Sequence, residues 1–174
     1  KCLSNVIQKI DNNLFIKLEL EMSNTYSQLN IHLVFCVQGK ENVLNKALRE
    51  RLFPYISGTI KSKGHFSLAV NGFTDHVHIF FELSPKVAIS DLVRDLKSSS
   101  SKWINDNKLI KGKFNWQTGY GAFSYSRSQR NTVIKYIMNQ EEHHKGLTFK
   151  EEYLELLKKF EINFNEEYLF EFYD

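Results

Sequence analysis

The stretch "HFSLAVNGFTDHVHIFFEL", residues 65–83, reads as two strands folded back on each other at "NGFTD". Strand side chains alternate faces. In the second strand Val77, Ile79, Phe81 and Leu83 therefore point one way, and His76, His78, Phe80 and Glu82 point the other. The two imidazoles share a face, about 7 Å apart along the strand. What that face meets depends on the elements around the hairpin.

Upstream, "QLNIHLVFCVQ" (28–38) alternates as a strand with Leu29, Ile31, Leu33, Phe35 and Val37 on one side. "LNKALRERLFPYISGTIKSKG" (44–64) repeats Leu44, Leu48, Leu52 and Ile56 at near-helical spacing, and Pro54 is expected to kink or split that helix. Downstream, residues 86–106 form an amphipathic helix with Ile89, Leu92, Val93, Leu96, Trp103 and Ile104 on one face. "FNWQTGYGAFSYS" (114–126) is a fourth, aromatic strand region loosened by Gly119 and Gly121. A helix then runs from about Ser128 to Lys145 and stops at Gly146. A last one starts at "TFKE", where Thr148 and Glu151 have capping-box spacing.

The order β-α-β-β-α-β-α predicts an α+β fold, a ferredoxin-like (RRM-like) split βαβ sandwich with an antiparallel sheet and the two histidines on a central strand. Such a sheet is expected to bury one face under helices and leave the other partly open. His76 and His78 would then lie on the open face, where a binding surface belongs.

At 174 residues the chain suits one domain. Its 42% hydrophobic and 25% charged fractions are those of a soluble globular protein, and no apolar run approaches the ~20 residues of a membrane span. Its first residues show no basic–apolar–small cleavage pattern, so secretion is not expected. Cys2 and Cys36 are too few for a disulfide framework, and Cys36 in "LVFCV" reads as a buried thiol. The cytoplasm is the default. Residues 1–21 read as an N-terminal extension of unknown role, with "LFIKLELE" alternating as a half-buried strand. Met22 precedes a more conventional opening, so the single domain is set at 22–174, including a C-terminal helical extension.

Charge is unevenly spread. Lys86, Arg94, Lys97, Lys102, Lys108, Lys111, Lys113, Arg127 and Arg130 face only Asp91, Asp95 and Asp106 between residues 86 and 131, whereas ten carboxylates face four lysines from Glu141 onward. A basic middle suits a polyanion, and solvated helix faces of arbitrary sign would give the same pattern.

Two imidazoles can share a metal ion but rarely suffice; alone they also fit a pair of hydrogen-bonded sheet histidines. The helix "SQRNTVIKYIMNQEEHHKG" offers more. Val133, Ile134, Ile137 and Met138 mark its core side, Tyr136 sits off that side, and Gln140 lies one turn below Tyr136. A boundary tyrosine with a wet hydroxyl has the same spacing. His143 extends the stripe, as a replacement or supplement for Gln140, and His144 falls farther round. His32 on the first strand either lines the site or is a sheet histidine. Tyr120 and Tyr125 have no ligand at helical spacing, and Asp75 and Glu82 stay outside the ligand set.

His76-Val77-His78 together with "YIMNQ" resembles the single-tyrosine HUH transposases, in which histidine-hydrophobic-histidine on a strand meets a tyrosine followed four residues later by a glutamine. "HLVFCVQGK", "GFTDHVHIFFEL", "NWQTGYGAFSYSRS" and "YIMNQEEHHKGLTFKEEY" are similar to the insertion-sequence-type and REP-associated tyrosine transposases, over about residues 26–160.

The resemblance implies a divalent cation, Mg²⁺ or Mn²⁺, held by His76, His78 and Gln140. It implies attack by Tyr136 on a DNA phosphorus to leave a 5′-phosphotyrosine, and later strand transfer. It implies single-stranded DNA with hairpin ends as partner, and a homodimer whose sites combine residues of both subunits. It also implies work in the cytoplasm near the nucleoid, away from membranes. Lys97, Lys102, Trp116, Tyr120, Tyr125, Arg127 and Arg130 are the candidate DNA contacts, with Phe123 among the same aromatics, at least half of them expected to be core. The competing readings are an RRM-like single-strand binding module without chemistry, and a domesticated HUH nickase.

Overall fold

The computed structural model describes residues 26–39 and 43–172. The strand expected at "LFIKLELE", and the extension as a whole, lie outside the described residues. Within them run β1 (Asn30–Cys36), α1 (Lys46–Ser62), β2 (Phe66–Gly72), β3 (His76–Glu82), α2 (Ile89–Asp106), β4 (Gly121–Tyr125), α3 (Arg130–Met138), α4 (Gln140–His143) and α5 (Phe149–Lys159). Single 3₁₀ turns stand at Arg127–Gln129 and Glu166–Tyr168.

The sheet order is β2-β3-β1-β4, with every neighbouring pair antiparallel. This is the expected ferredoxin-like α+β topology. It makes β1 and β3 the central strands, with His78 paired on both sides, to β1 and to Asn71 of β2, and His76 paired to β1 where β3 begins. Val34 pairs with His78 and Cys36 with His76.

The inner face is closed by α1 and α2. Leu33, Phe35, Val77, Ile79 and Phe81 pack there against Leu52, Ile56 and Ile60 of α1 and Leu92, Leu96 and Ile104 of α2. Asn45 caps α1 by accepting from the Leu48 amide at 3.0 Å. Pro54 does not split α1, which runs through it as one element. Glu50, whose carbonyl loses its helical donor to the proline, is exposed like Pro54 itself, so water can serve the freed oxygen.

The outer face is not open. A second apolar cluster closes it, in which Val34, Cys36, Phe80, Phe123 and Tyr125 of the sheet meet Val133 and Ile137 of α3 and Phe149, Tyr153, Leu156 and Leu157 of α5. Phe170, beyond α5, joins it. The expectation of an exposed histidine face fails because the C-terminal extension packs against the sheet. Its apolar stripe, Phe149, Tyr153, Leu156 and Leu157, is buried there. Gly121 permits the close approach of α5, since a Cβ there would stand 2.9 Å from the Tyr153 ring.

Two other boundaries differ. The fourth strand region shortens to five residues, with Trp116 making only an isolated bridge to Val37. The long helix of 128–145 is broken at Asn139 (φ −99°, ψ 18°) into α3 and α4. Met138, expected on the core side, is exposed at that break.

Candidate metal centre and nucleophile

One half of the site rides on the sheet. His32, His76 and His78 are each 0% exposed. Asp75 Oδ1 lies 2.7 Å from His76 Nδ1. A carboxylate only accepts, so Nδ1 carries the proton and Nε2 presents a lone pair away from the strand. The Phe149 ring lies flat on the same imidazole, centroids 4.1 Å apart and 6° from parallel. His78 is held differently, with its Nδ1 2.8 Å from His32 Nε2 and the two rings stacked at 5.1 Å.

The other half rides on the C-terminal helices. Tyr136 on α3 donates its hydroxyl to Glu152 Oε1 on α5. Gln140 at the start of α4 donates its amide to the same oxygen at 2.8 Å, which turns its Oε1 toward His76 Nε2 at 3.3 Å. Glu152 Oε2 stands 3.3 Å from His78 Nε2 and 3.1 Å from His144 Nε2. The Asn71 amide of β2 donates to the carbonyls of Ile137 and Met138, both at 3.0 Å, and ties the end of α3 to the sheet. His76, His78, Tyr136 and Gln140 thus meet within one chain.

The charges follow from burial. Desolvation works against an ionised Glu152, but neighbouring His78 and hydrogen bonds from His144 and His78 outweigh it and hold the carboxyl far below its usual range. Burial, and then the Glu152 carboxylate, push the Tyr136 phenol well above its ordinary value, so at rest the hydroxyl keeps its proton. Burial lowers His32, and lowers His78 against the opposing pull of the Glu152 carboxylate. For His144 burial opposes charge, yet the bond to Glu152 raises it.

The donor set fits a divalent cation. Ligand atoms of His76, His78 and Glu152 lie within 4.8 Å of one another, and the Gln140 oxygen faces the same point. Asp75 behind His76 is the kind of outer partner that fixes a ligating imidazole.

Glu152 was not among the ligands expected from sequence. Its signal was present: on α5 the buried stripe Phe149, Tyr153, Leu156, Leu157 carries one carboxylate at its centre. His143, expected to extend the Tyr136–Gln140 stripe, lies 3.4 Å from Glu152 Oε1 with its ring against Tyr136. His144, expected farther round, is the one that reaches His76, because the break at Asn139 resets the helical phase.

The candidate DNA contacts separate by burial. Trp116 is buried between Phe35 and Phe114 with its indole donating to Ser100, and Tyr125 is buried in the outer cluster. Neither ring is an exposed stacking platform, because each fills a core. Phe123 is buried likewise. Lys97 is spent on the Gln117 and Gly119 carbonyls. Arg130 lies over Phe66 and 3.6 Å from Glu82. Lys102, Tyr120 and Arg127 are exposed.

A cleft of about 230 Å³ opens beside Tyr136 between α3 and α5, lined by Tyr125, Thr132, Val133, Glu155, Leu156 and Lys159. Among the described residues no helix is long and apolar enough to cross a membrane.

The family model described as "Transposase IS200 like" matches residues 25–140, two thirds of the chain, from before β1 to Gln140. The chain belongs to the IS200-like transposase family. This transposase is 27% identical over 132 residues to the ISDra2 transposase TnpA of Deinococcus radiodurans, covering 72% of this chain and 94% of that one.

Two solved structures share the fold. One is a candidate transposase of Deinococcus radiodurans R1, with TM-score 0.55 and 23% identity over 68% of this chain and 95% of that one. The other is a REP-associated tyrosine transposase bound to a REP hairpin, with TM-score 0.53 and 13% identity over 72% of this chain and 74% of that one. His144 and Glu152 lie beyond the residues that the family model matches.

Proposed function

We propose that this transposase cuts and rejoins single-stranded DNA with hairpin ends, using Tyr136 as nucleophile and His76, His78, Gln140 and Glu152 around a divalent cation. One observation carries the reading: the Tyr136 hydroxyl and the histidine pair converge on a single carboxylate, Glu152, inside one chain. The Tyr136 oxygen bonds to phosphorus as the phenol loses its proton, the bond from phosphorus to the 3′-oxygen breaks, and that oxygen takes up a proton to leave as a 3′-hydroxyl. The product is a 5′-phosphotyrosine, which keeps a phosphodiester for rejoining. A cation at this site supplies Lewis-acid stabilisation of charge on the phosphoryl oxygens. His76, oriented by Asp75, and His78, backed by His32, hold fixed positions for it.

Hairpin DNA as substrate is supported by the REP-bound structure of similar fold. Lys102, Tyr120 and Arg127 are the exposed side chains proposed to meet it. One tyrosine makes one covalent link, so cutting both ends of an element calls for two copies, each with Tyr136 beside its own histidines. The cytoplasm, on or near the chromosome, is the proposed site of action. A sheet-surface binding module fits less well, since α3 and α5 cover the face that such a module would present.

The test incubates hairpin-bearing single strands with the chain and Mn²⁺ or Mg²⁺ and separates covalent adducts under denaturing conditions. The native chain is expected to form an adduct, and Tyr136→Phe to bind the strand yet form none, a loss of roughly 10³-fold or more. An adduct that persists in Tyr136→Phe would exclude this nucleophile.

A further inference from the structure

His144 has no role in the scheme above, yet it stands at the centre of the cluster. Its Nδ1 lies 2.7 Å from the Leu147 carbonyl. A carbonyl only accepts, so Nδ1 carries a proton and, in the neutral ring, Nε2 is a bare lone pair. That Nε2 faces three other acceptors: His76 Nε2 at 3.2 Å, Gln140 Oε1 at 3.0 Å and Glu152 Oε2 at 3.1 Å. His76 Nε2 is bare by the same reasoning, its Nδ1 proton being given to Asp75. The Gln140 oxygen is fixed as acceptor because its amide nitrogen donates to Glu152.

Four lone-pair atoms pointed at one another inside a protein repel unless something positive sits among them. In the metal-free protein a proton on His144 Nε2 goes to Glu152 Oε2 and leaves the contacts with His76 and Gln140 unserved, whereas a metal ion serves all four. The ring is also braced as ligands are: Phe73 stacks on it at 5.2 Å and 20°, and the Leu147 carbonyl holds its far nitrogen.

We propose that His144 is a metal ligand, completing a site of three imidazole nitrogens with the Gln140 and Glu152 oxygens. This rests on the reading of the cluster as the transposase's cation site. The chemical class of the cation follows from the donors. Mg²⁺ favours an all-oxygen octahedron and keeps its waters, whereas three imidazoles select first-row transition ions in the order Mn²⁺ below Co²⁺. The site is therefore a transition-metal site that tolerates Mg²⁺ poorly.

The experiment titrates Mn²⁺, Co²⁺ and Mg²⁺ into the metal-stripped full chain by calorimetry, without DNA. Expected affinities rise from Mg²⁺ through Mn²⁺ to Co²⁺. His144→Asn and His144→Phe, the second keeping a ring under Phe73, each weaken Mn²⁺ binding by about 10- to 100-fold, while Lys145→Ala, at an exposed residue next to it that pairs only with Glu142, does not. Unchanged Mn²⁺ affinity in both His144 variants, or Mg²⁺ binding as tight as Mn²⁺, overturns the proposal.

X-ray absorption of the unsubstituted Co²⁺-loaded chain counts imidazoles without any substitution: three support the proposal, two overturn it. Because none of these measurements uses DNA, a failure of Tyr136 to form adducts would sink the nuclease reading and leave this one standing. Adduct formation with two imidazoles on the metal would do the reverse.

Discussion

On the inner face of the sheet, Leu33, Phe35, Val77 and Ile79 meet the apolar stripes of α1 and α2. On the outer face, one residue along the same strands, His32, His76 and His78 meet α3, α4 and α5. Both faces are closed to water, and neighbouring residues on one strand serve opposite ends. A closed apolar face gains from every carbon it buries. A closed face of imidazoles and a carboxylate gains nothing until each polar atom has a partner. Carbon burial on the inner face, and by Val34, Phe80, Phe123 and Ile137 around the polar cluster on the outer one, therefore holds the fold rigid. The outer face uses that rigidity to keep Tyr136, Gln140 and Glu152 in reach of the histidines.

Substitutions can break this division. The largest effect on stability is expected from Leu33→Ala, which opens a fully buried site on β1 and should cost about 3 kcal/mol in denaturant unfolding. Mn²⁺ affinity of the folded fraction should stay as it was. A shared loss would mean that the two faces are not independent.

Glu152→Gln acts on the outer face through pH. The native carboxyl is held below its ordinary value near 4.5, so its contribution is present above that value and lost as pH falls through the native one. In metal-free protein the native chain should therefore be more stable than Glu152→Gln at pH 7. The gap should narrow steadily in thermal melts taken toward pH 3. A gap that stays constant with pH would show that the carboxylate is not held ionised by the cluster.

His32→Phe keeps an aromatic ring behind His78 but removes the nitrogen that meets it at 2.8 Å. About a tenfold weaker Mn²⁺ affinity is expected, together with a lower melting temperature, because the buried His78 Nδ1 is left without a partner. Smallest of all, Thr148→Ala removes the α5 cap, in which the threonine hydroxyl accepts from the Glu151 amide at 3.2 Å. It should cost about 1 kcal/mol by chemical denaturation.

Much of this was legible in the sequence. Period-two alternation fixes β1 and β3 and which residues share a face, the apolar repeat from Leu48 to Ile60 gives α1, and Thr148–Glu151 marks the start of α5. Tyr136 and Gln140 sit four apart, a spacing that survives the helix break because it lies largely before it. What was not legible depends on docking. The outer face read as open because nothing local says that α5 will fold back over it. His144 read as facing away because a single residue, Asn139, shifts the phase of everything after it. Trp116 and Tyr125 read as DNA platforms because an aromatic residue looks the same in sequence whether it packs inside or stacks outside.

The Thr148–Glu151 cap has a reach beyond its own hydrogen bonds. A helix that began one residue earlier or later would present its next positions turned by about 100°. Residue 152 would then be carried out of the imidazole cluster and Glu151 or Tyr153 swung toward it. An exposed threonine on the rim thus works as a locating pin for the innermost carboxylate, and the aim of the cluster is set from the surface of the molecule.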